Sequence, residues 1–212
     1  MSRYNTKSHC VIVCDGEFPT HAIPLEILSK AKTIVCCDGA ANTLYKKHIQ
    51  PSIVIGDFDS ILPEVQKAFA DRLEYNPDDY TNDQTKAVHW AITHEFSEIT
   101  ILAATGKRED HTLGNISLLS EYREHVPIKT ITNTGIFTPI QSSTTFDSYK
   151  GQQVSVFALH PDIHITSENL KYPLNKVVLD SWWKGTLNES ESNTFTLHLS
   201  YGKCIVFQEF GE

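Results

Sequence analysis

The stretch Ile53-Val54-Ile55-Gly56-Asp57-Phe58-Asp59-Ser60 decides the fold of this chain. Its β-branched apolar run predicts a short buried strand, and the glycine and carboxylates after it predict a turn where that strand ends. Other apolar runs are followed by similar acidic turns: Asp15-Gly16, Asp38-Gly39, Thr81–Asp83 and Gly106–Asp110. Such turns meet in the crevice at the carboxyl ends of the strands of an open α/β sheet, where ligands bind.

Residues 10–133 alternate between strand-like and helix-like segments, which predicts a largely parallel sheet covered on both faces. The predicted strands are Cys10–Cys14, Thr33–Cys37, Ile53–Ile55, Arg72–Tyr75, Ile99–Ala103 and Ile128–Thr132. The predicted helices are Pro24–Lys30, Ala40–Lys47, Pro63–Ala70, Asp83–His94 and Thr112–Glu124. Pro63 and Thr81 are the expected helix-start signals. We therefore predict an α/β sandwich domain of the Rossmann-like kind over residues 1–133.

The pattern changes after Thr134, because helical periodicity disappears and short strand-like runs separated by turn signals take its place. These runs are Gly135–Ile140, Ser143–Phe146, Gln153–Leu159, Lys176–Leu179, Thr194–Leu199 and Cys204–Phe207. The segment 134–212 is therefore expected to form a smaller, all-β antiparallel sandwich.

Bulk composition excludes several classes of function. The 212 residues carry a formal net charge of −8, which argues against a nucleic-acid partner held by a basic surface. An acidic protein still binds phosphates when a divalent metal supplies the positive charge. No apolar stretch is long enough to span a bilayer and no signal-peptide core is present, so we expect a cytoplasmic protein with its five cysteines reduced and buried.

Asp57 and Asp59 are the first candidate metal ligands. Side chains two apart on an extended chain point the same way, and two carboxylates aimed into one cleft need a cation between them. Mg²⁺ prefers such oxygen ligands together with substrate phosphates. An Asx-turn that leaves the strand, with Ser60 capping the next helix, explains the same residues equally well.

Two further pairs add cations to the same edge of the sheet. Asp83 and Lys86 lie three apart at the start of a predicted helix, where a bound phosphate would stabilise an otherwise unfavourable lysine. Arg108 is suited to bidentate phosphate binding, and Asp110 either orients it, approaches the metal or only caps a helix. A solvated lysine remains open for Lys86, and a surface histidine remains open for His111.

Several common sites are absent from the sequence. There is no Gly-x-x-x-x-Gly-Lys-[Ser/Thr] loop, no Gly-x-Gly-x-x-Gly fingerprint, no Gly-x-Ser-x-Gly elbow and no His-Glu-x-x-His motif. What remains is a set of carboxylates, a lysine and an arginine that suits a magnesium-bound polyphosphate.

The ordered motifs resemble the thiamine pyrophosphokinase family over nearly the whole chain. The matching stretches are Asp38-Gly39-Ala40-Ala41-Asn42, Gly56-Asp57-Phe58-Asp59-Ser60, Asn82-Asp83-x-x-Lys86-Ala87, Arg108-x-Asp110-His111-x-x-x-Asn115, Asn169-Leu170-Lys171-Tyr172-Pro173-Leu174 and Ser192-Asn193. The Gly-Asp-Phe-Asp-Ser pentapeptide is the most specific of them. Ala40, Asn82, Lys107, Asn169 and Glu191 depart from the family pattern, although none of them removes a charged group. Asn169 replaces a glycine, and Asn tolerates left-handed backbone angles better than most residues do.

The resemblance implies an ATP- and Mg²⁺-binding catalytic domain (residues 1–133) and a thiamine-binding β domain (residues 134–212). It implies transfer of a diphosphate group from ATP to the hydroxyethyl group of thiamine, which yields thiamine diphosphate and AMP. The catalytic residues it implies are Asp57, Asp59, Asp83, Lys86, Arg108 and Asp110, with Asp57, Asp59 and Asp83 at the metal. Cofactor-binding residues would be Asp38, Gly39, Asn42, Ser60, His111 and Asn115, and thiamine-binding residues would be Tyr172, Ser192 and Asn193.

The resemblance also implies a homodimer with the active site at the subunit interface. Two other functions stay open at this point. One is a kinase of the same scaffold that acts on another small alcohol. The other is a non-catalytic sensor that binds thiamine diphosphate or a nucleotide, although a sensor has no need to retain metal-chelating acids.

Overall fold

A computed structural model of the chain describes residues 9–211. The chain forms two compact units. One unit contains the described residues up to Leu118 together with Glu124–Asn133, and the other contains Leu119–Arg123 and the residues from Thr134 onward. The predicted fold class, an α/β unit followed by a smaller all-β unit, is confirmed.

The first unit alternates strands and helices along the chain. Its strands are β1 (His9–Val13), β2 (Ile34–Cys37), β3 (Ile53–Gly56), β4 (Leu73–Tyr75), β5 (Glu98–Leu102) and β6 (Ile128–Ile131). Its helices are α1 (Ala22–Lys30), α2 (Ala40–Lys46), α3 (Pro63–Ala68), α4 (Asp83–Thr93) and α5 (Glu109–Ser117).

All pairings within this sheet are parallel, in the order β6-β5-β1-β2-β3-β4. The central strands are buried on both faces, and every residue of β2 and β3 is buried. The chain runs outward from β1 to β4 and then returns to β5 on the other side of β1. This reversal between β1 and β5 opens a crevice at the carboxyl ends of the strands, so the polar turns that follow the strands meet there.

Two of the predicted capping residues in this unit are wrong, although α3 and α4 begin at Pro63 and Asp83 as predicted. Asn82, not Thr81, caps α4, because the Asn82 side chain accepts a hydrogen bond from the Thr85 amide. Thr81 instead donates its hydroxyl to the Asp78 carboxylate. Leu62, not Ser60, precedes α3.

The predicted helix Thr112–Glu124 consists of two helices that belong to different units. α5 starts earlier, at Glu109, because two acids in its first turn favour the positive end of the helix dipole. After Leu118 the chain forms the short helix α6 (Leu119–Tyr122), which packs against two strands of the second unit, Gly135–Ile140 and Cys204–Glu209.

The second unit is built from antiparallel strands. They are β7 (Gly135–Ile140), β8 (Thr144–Asp147), β9 (Gln153–Ala158), β10 (His164–Glu168), β11 (Val177–Val178), β12 (Asn188–Glu189), β13 (Thr194–Leu199) and β14 (Cys204–Glu209). They pair in the orders β12-β9-β14-β7 and β11-β10-β13-β8. Alternate side chains of both layers form one core, in which the rings of Phe146 and Phe195 stack at 4.9 Å.

Sequence patterns missed β10 and β12 because these strands are short and rich in polar residues. Asn169 has a φ of 61°, a left-handed conformation that Asn tolerates better than most residues do. Among residues 9–211, no helix combines the length and the apolar character needed to cross a membrane.

Candidate active site

The crevice in the first unit is a cleft of about 520 Å³. The turns after five of the parallel strands line it, and they contribute carboxylates, amides, thiols and cations together. The predicted residues in its lining are Gly39, Asp57, Asp59, Ser60, Asp83, Lys86, Arg108, His111 and Asn115. Asp38, Asn42 and Asp110 are not part of the lining surface, and each of them contacts a residue that is.

Asp38, Asp57 and Asp59 form the carboxylate cluster of the cleft. One oxygen from each of the three side chains lies within 4.8 Å of the others, a spacing that suits a single shared cation. Asp38 is 1% exposed, and its Oδ1 atom has no hydrogen-bond partner within the described part of the chain. A buried carboxylate oxygen without a partner is costly unless a cation binds it. The donor set therefore fits a hard divalent ion such as Mg²⁺.

The close approach of two strands depends on Gly56. A Cβ atom at this position would lie 2.6 Å from the Cβ atom of Asp38, so any side chain here would displace the buried carboxylate. Two residues later, Phe58 takes a left-handed φ of 68° and the Asp59 amide donates to Asp57 Oδ1 at 3.2 Å. The Asx-turn is therefore present, and it also holds both acids at the cluster.

The three acids of the carboxylate cluster differ in their electrostatics. Burial, a hydrogen bond with Asp57 and the neighbouring negative charges raise the pKa of Asp38 to about 7. The Asp59 amide, as donor, instead lowers the pKa of Asp57. Two neighbouring acids whose pKa values are pushed apart, as those of Asp38 and Asp57 are, share one proton. A bound cation replaces that proton.

Asp83 and Lys86 form an ion pair on the first turn of α4, in which the lysine is buried and the aspartate is partly exposed. Lys86 Nζ lies 3.2 Å from Asp83 Oδ1, and the lysine side chain is only 4% exposed. Burial alone would lower the pKa of Lys86, but Asp83 and the other carboxylates raise it above its usual value. Burial raises the pKa of Asp83 in spite of the lysine. Asp83 is not a member of the carboxylate cluster, so its assignment as a metal ligand stays a prediction.

Two exposed ion pairs also involve residues of the cleft lining. Arg108 donates two hydrogen bonds to the Asp110 carboxylate, at 3.1 and 2.6 Å, and this pairing lowers the pKa of Asp110 to about 2. Lys107 Nζ lies 2.9 Å from Asp15 Oδ1. All four side chains are at least half exposed, so they are free to exchange their partners for ligand atoms.

The predicted amide residues hold the loops of the cleft together. Asn42 donates to the Ser60 carbonyl and accepts from the Leu62 amide, which ties the turn after β3 to α2. Asn115 donates to the Ala104 carbonyl and accepts from Asn82, which ties α5 to the turn after β5 and to the start of α4.

Three of the predicted residues lie in the second unit. Tyr172 is 60% exposed, and its backbone is anchored on Asn188 by hydrogen bonds in both directions. The Ser192 carbonyl accepts from Ser190 Oγ, and the Asn193 carbonyl accepts from the Ser148 amide. The side chain of Tyr172 is therefore presented to solvent on a fixed backbone.

Sequence reasoning missed Asp78 and Asp79, which also line the cleft. They follow β4 in the stretch Asn76–Thr81, so their position after a strand was the available signal. That signal was weak because β4 has only three residues and its burial pattern is mostly exposed.

Comparisons with known proteins agree with this geometry. Residues 25–130 match the family model described as thiamin pyrophosphokinase, catalytic domain. Residues 135–207 match the model described as thiamin pyrophosphokinase, substrate-binding domain. The chain belongs to the thiamin pyrophosphokinase family. The predicted resemblance is thereby confirmed.

Individual members of the thiamin pyrophosphokinase family extend the match. The thiamine pyrophosphokinase of Bacillus subtilis is 32% identical over 147 residues, which cover 65% of this chain and 68% of the relative. Thiamin pyrophosphokinase 1 of Caenorhabditis elegans is 25% identical over 194 residues, which cover 84% of this chain and 79% of the relative. The fold is similar to that of the Candida albicans enzyme, with a TM-score of 0.81 at 20% identity over 100% of this chain and 96% of that one.

Proposed function

We propose that this protein transfers the β- and γ-phosphoryl groups of ATP, as one diphosphate, to the hydroxyethyl group of thiamine. The products are thiamine diphosphate and AMP. The observation that carries the proposal is the carboxylate cluster, which lies near the buried Lys86 at the carboxyl ends of the parallel strands. The chain that forms this site belongs to the thiamin pyrophosphokinase family. The unpartnered oxygen of Asp38 argues for a protein that still binds a metal.

In this proposal Asp57 and Asp59 hold Mg²⁺, and Asp38 supplies the third carboxylate. When bound, Mg²⁺ neutralises charge on the polyphosphate and fixes its orientation. The protein keeps the acids converged before the metal arrives, because the turn at Phe58 and the close packing at Gly56 hold their backbones in place. Such preorganisation avoids reorganisation during the reaction.

The cations of the cleft act on the phosphate oxygens. Lys86 is held by Asp83 at the start of α4, so its ammonium group has a fixed position for the charge that develops during transfer. Arg108 is held in a bidentate pair by Asp110 and can turn to the phosphate of the leaving AMP. Gly39, Asn42, Ser60, His111 and Asn115 would then shape the nucleotide site.

Thiamine has a cationic ring, which an aromatic face and hydrogen-bonding groups would bind. We assign these roles to Tyr172, Ser192 and Asn193, in a thiamine-binding domain over residues 134–212. Residues 1–133 form the catalytic domain that binds ATP and Mg²⁺ in this division. The exposed ring of Tyr172 supports the assignment, because a stacking residue must be open to its ligand. A cytoplasmic location stays a prediction.

The proposal includes a homodimer in which each active site uses residues of both copies. Mixing two inactive variants, Asp57→Asn and Tyr172→Ala, tests this arrangement. If each site combines both copies, heterodimers contain one intact site and a statistical mixture regains about a quarter of the normal activity. If each site lies within one chain, every site keeps one defect and mixing restores nothing.

The decisive assay follows AMP release from ATP and Mg²⁺ with and without thiamine. Thiamine-dependent AMP in equal amount to thiamine diphosphate supports the proposal. ADP in place of AMP would contradict diphosphate transfer, and the absence of any product while thiamine diphosphate still binds would make the protein a sensor.

A further inference from the structure

The cleft contains a second set of possible metal ligands that differ in chemistry from the carboxylate cluster. Cys14 follows β1 and Cys37 ends β2, and both thiols line the cleft. Val13 pairs with Cys36 in the parallel register, so Cys14 continues that register opposite Cys37. The two sulfur atoms lie 3.8 Å apart.

This sulfur separation matches the geometry of a thiolate-bound ion. Two thiolates at about 2.3 Å from a tetrahedral zinc ion are separated by roughly 3.8 Å. The pair on β1 and β2 therefore needs little movement to bind such an ion. Within residues 9–211, no other two cysteine sulfur atoms are in contact.

Two oxygen atoms lie beside the thiols. The Gln84 side-chain oxygen lies 3.6 Å from Cys14 Sγ, and the Asp83 carbonyl lies 3.5 Å from Cys37 Sγ. The nearby carboxylates make this end of the cleft negative, which attracts a cation.

We propose that Cys14 and Cys37 form a site for a thiophilic divalent cation such as Zn²⁺ or Cd²⁺, and that an ion bound there inhibits the protein. Soft thiolates select these ions, whereas the hard oxygens of the carboxylate cluster select Mg²⁺. The ion and its remaining waters occupy the end of the cleft next to Asp83, where the polyphosphate is proposed to lie. The binding claim is independent of the proposed function, and only the inhibition claim rests on it.

Cadmium titration of the reduced protein, in a buffer with a phosphine reductant in place of a thiol, tests the binding. Thiolate-to-cadmium charge-transfer absorption should rise to one equivalent per chain. Cys14→Ser and Cys37→Ser should each weaken this binding at least about tenfold, because each removes one of two thiolates. Cys10→Ser and Cys204→Ser, which change buried thiols elsewhere, are the matched controls and should leave it unchanged. An affinity for Cd²⁺ that stays unchanged in both Cys14→Ser and Cys37→Ser would overturn the site.

A second measurement uses the unaltered protein, in case the serine variants fail to fold. Crystals grown with Cd²⁺ should give an anomalous difference peak between the two sulfur atoms. A peak at the carboxylates alone would overturn the proposal.

Inhibition is then measured as thiamine diphosphate formation at saturating Mg²⁺. Cd²⁺ should inhibit the parent protein at least about tenfold more strongly than Cys37→Ser. Equal inhibition of both would overturn the inhibitory role. Absence of turnover without Cd²⁺ would instead contradict the proposed function, and the absorption experiment would still decide the binding.

Discussion

Two ion pairs on the same cleft have opposite surroundings. The Lys86 and Asp83 side chains are 4% and 38% exposed, whereas the Arg108 and Asp110 side chains are 69% and 64% exposed. Removing one partner of a buried ion pair strongly destabilises a protein, whereas an exposed ion pair contributes little to stability. The difference indicates that the cleft has one cation fixed before ligands arrive and another that is free to move to them.

The largest effect should come from the carboxylate cluster of the same cleft. We expect Asp57→Asn combined with Asp59→Asn to lower turnover by at least about 10³-fold, because the metal loses two of its three carboxylates. Thiamine diphosphate formation and Mg²⁺ titration measure the change. Asp71→Asn, an exposed acid outside the cleft lining, is the matched control. Unchanged turnover in the double variant would refute the metal assignment.

The next largest effect tests the buried pair. Lys86→Met should lower kcat about 10²-fold and reduce the free energy of unfolding by about 1–3 kcal/mol, because it leaves Asp83 without its cation. Urea unfolding and steady-state kinetics measure the two effects. Combining Lys86→Met with Asp83→Asn should restore stability but not kcat.

The same substitution in an exposed pair gives the matched control for stability. Lys30→Met removes the partner of Glu26 on the surface of α1 and should leave unfolding unchanged. A loss of stability for Lys30→Met equal to that for Lys86→Met would remove the distinction between buried and exposed pairs.

Substitutions in the exposed pair of Arg108 and Asp110 should affect catalysis but not stability. Arg108→Gln should lower kcat/KM for ATP by about 10- to 100-fold, because a phosphate contact is lost, with no measurable change in unfolding. Asp110→Asn should have a smaller effect, since Arg108 keeps its charge. If Arg108→Gln destabilises the protein as Lys86→Met does, the contrast between the pairs is wrong.

The last prediction concerns the buried acid of the carboxylate cluster, and it is a change in stability rather than in turnover. The pKa of Asp38 is raised from its ordinary value to about 7, so the folded protein retains a proton that the unfolded chain has released. Unfolding then releases that proton, and the metal-free protein loses stability as pH rises from about 4 to about 7. Urea unfolding with a chelator should show a decrease of about 1–3 kcal/mol between pH 5 and pH 8.

Asp38→Asn should abolish most of this decrease, and Mg²⁺ should reverse it in the parent only. A parent protein whose metal-free stability is the same at pH 5 and pH 8 would contradict the raised pKa of Asp38.

Sequence patterns located most of the cleft because strand ends carry local signals. Apolar runs that stop at an acid or a glycine marked the turns that hold Asp38, Asp57 and Lys107. The same reasoning misplaced the helix predicted from Thr112, since nothing in local periodicity shows that Leu119–Tyr122 packs against strands far along the chain. It also missed Asp78, because β4 is too short and too exposed to give a clear pattern.

The amino-acid sequence by itself determined the α/β and all-β division, the turn positions and the family. These properties follow from apolar periodicity and short motifs, which are local along the chain. Only the tertiary structure decided that Asp38 joins Asp57 and Asp59, that Lys86 is buried against Asp83, and that Cys14 contacts Cys37. The first and third facts depend on the order and register of strands, because residues distant in sequence become neighbours only when those strands pair. The burial of Lys86 depends on the packing of α4 against β2 and β3.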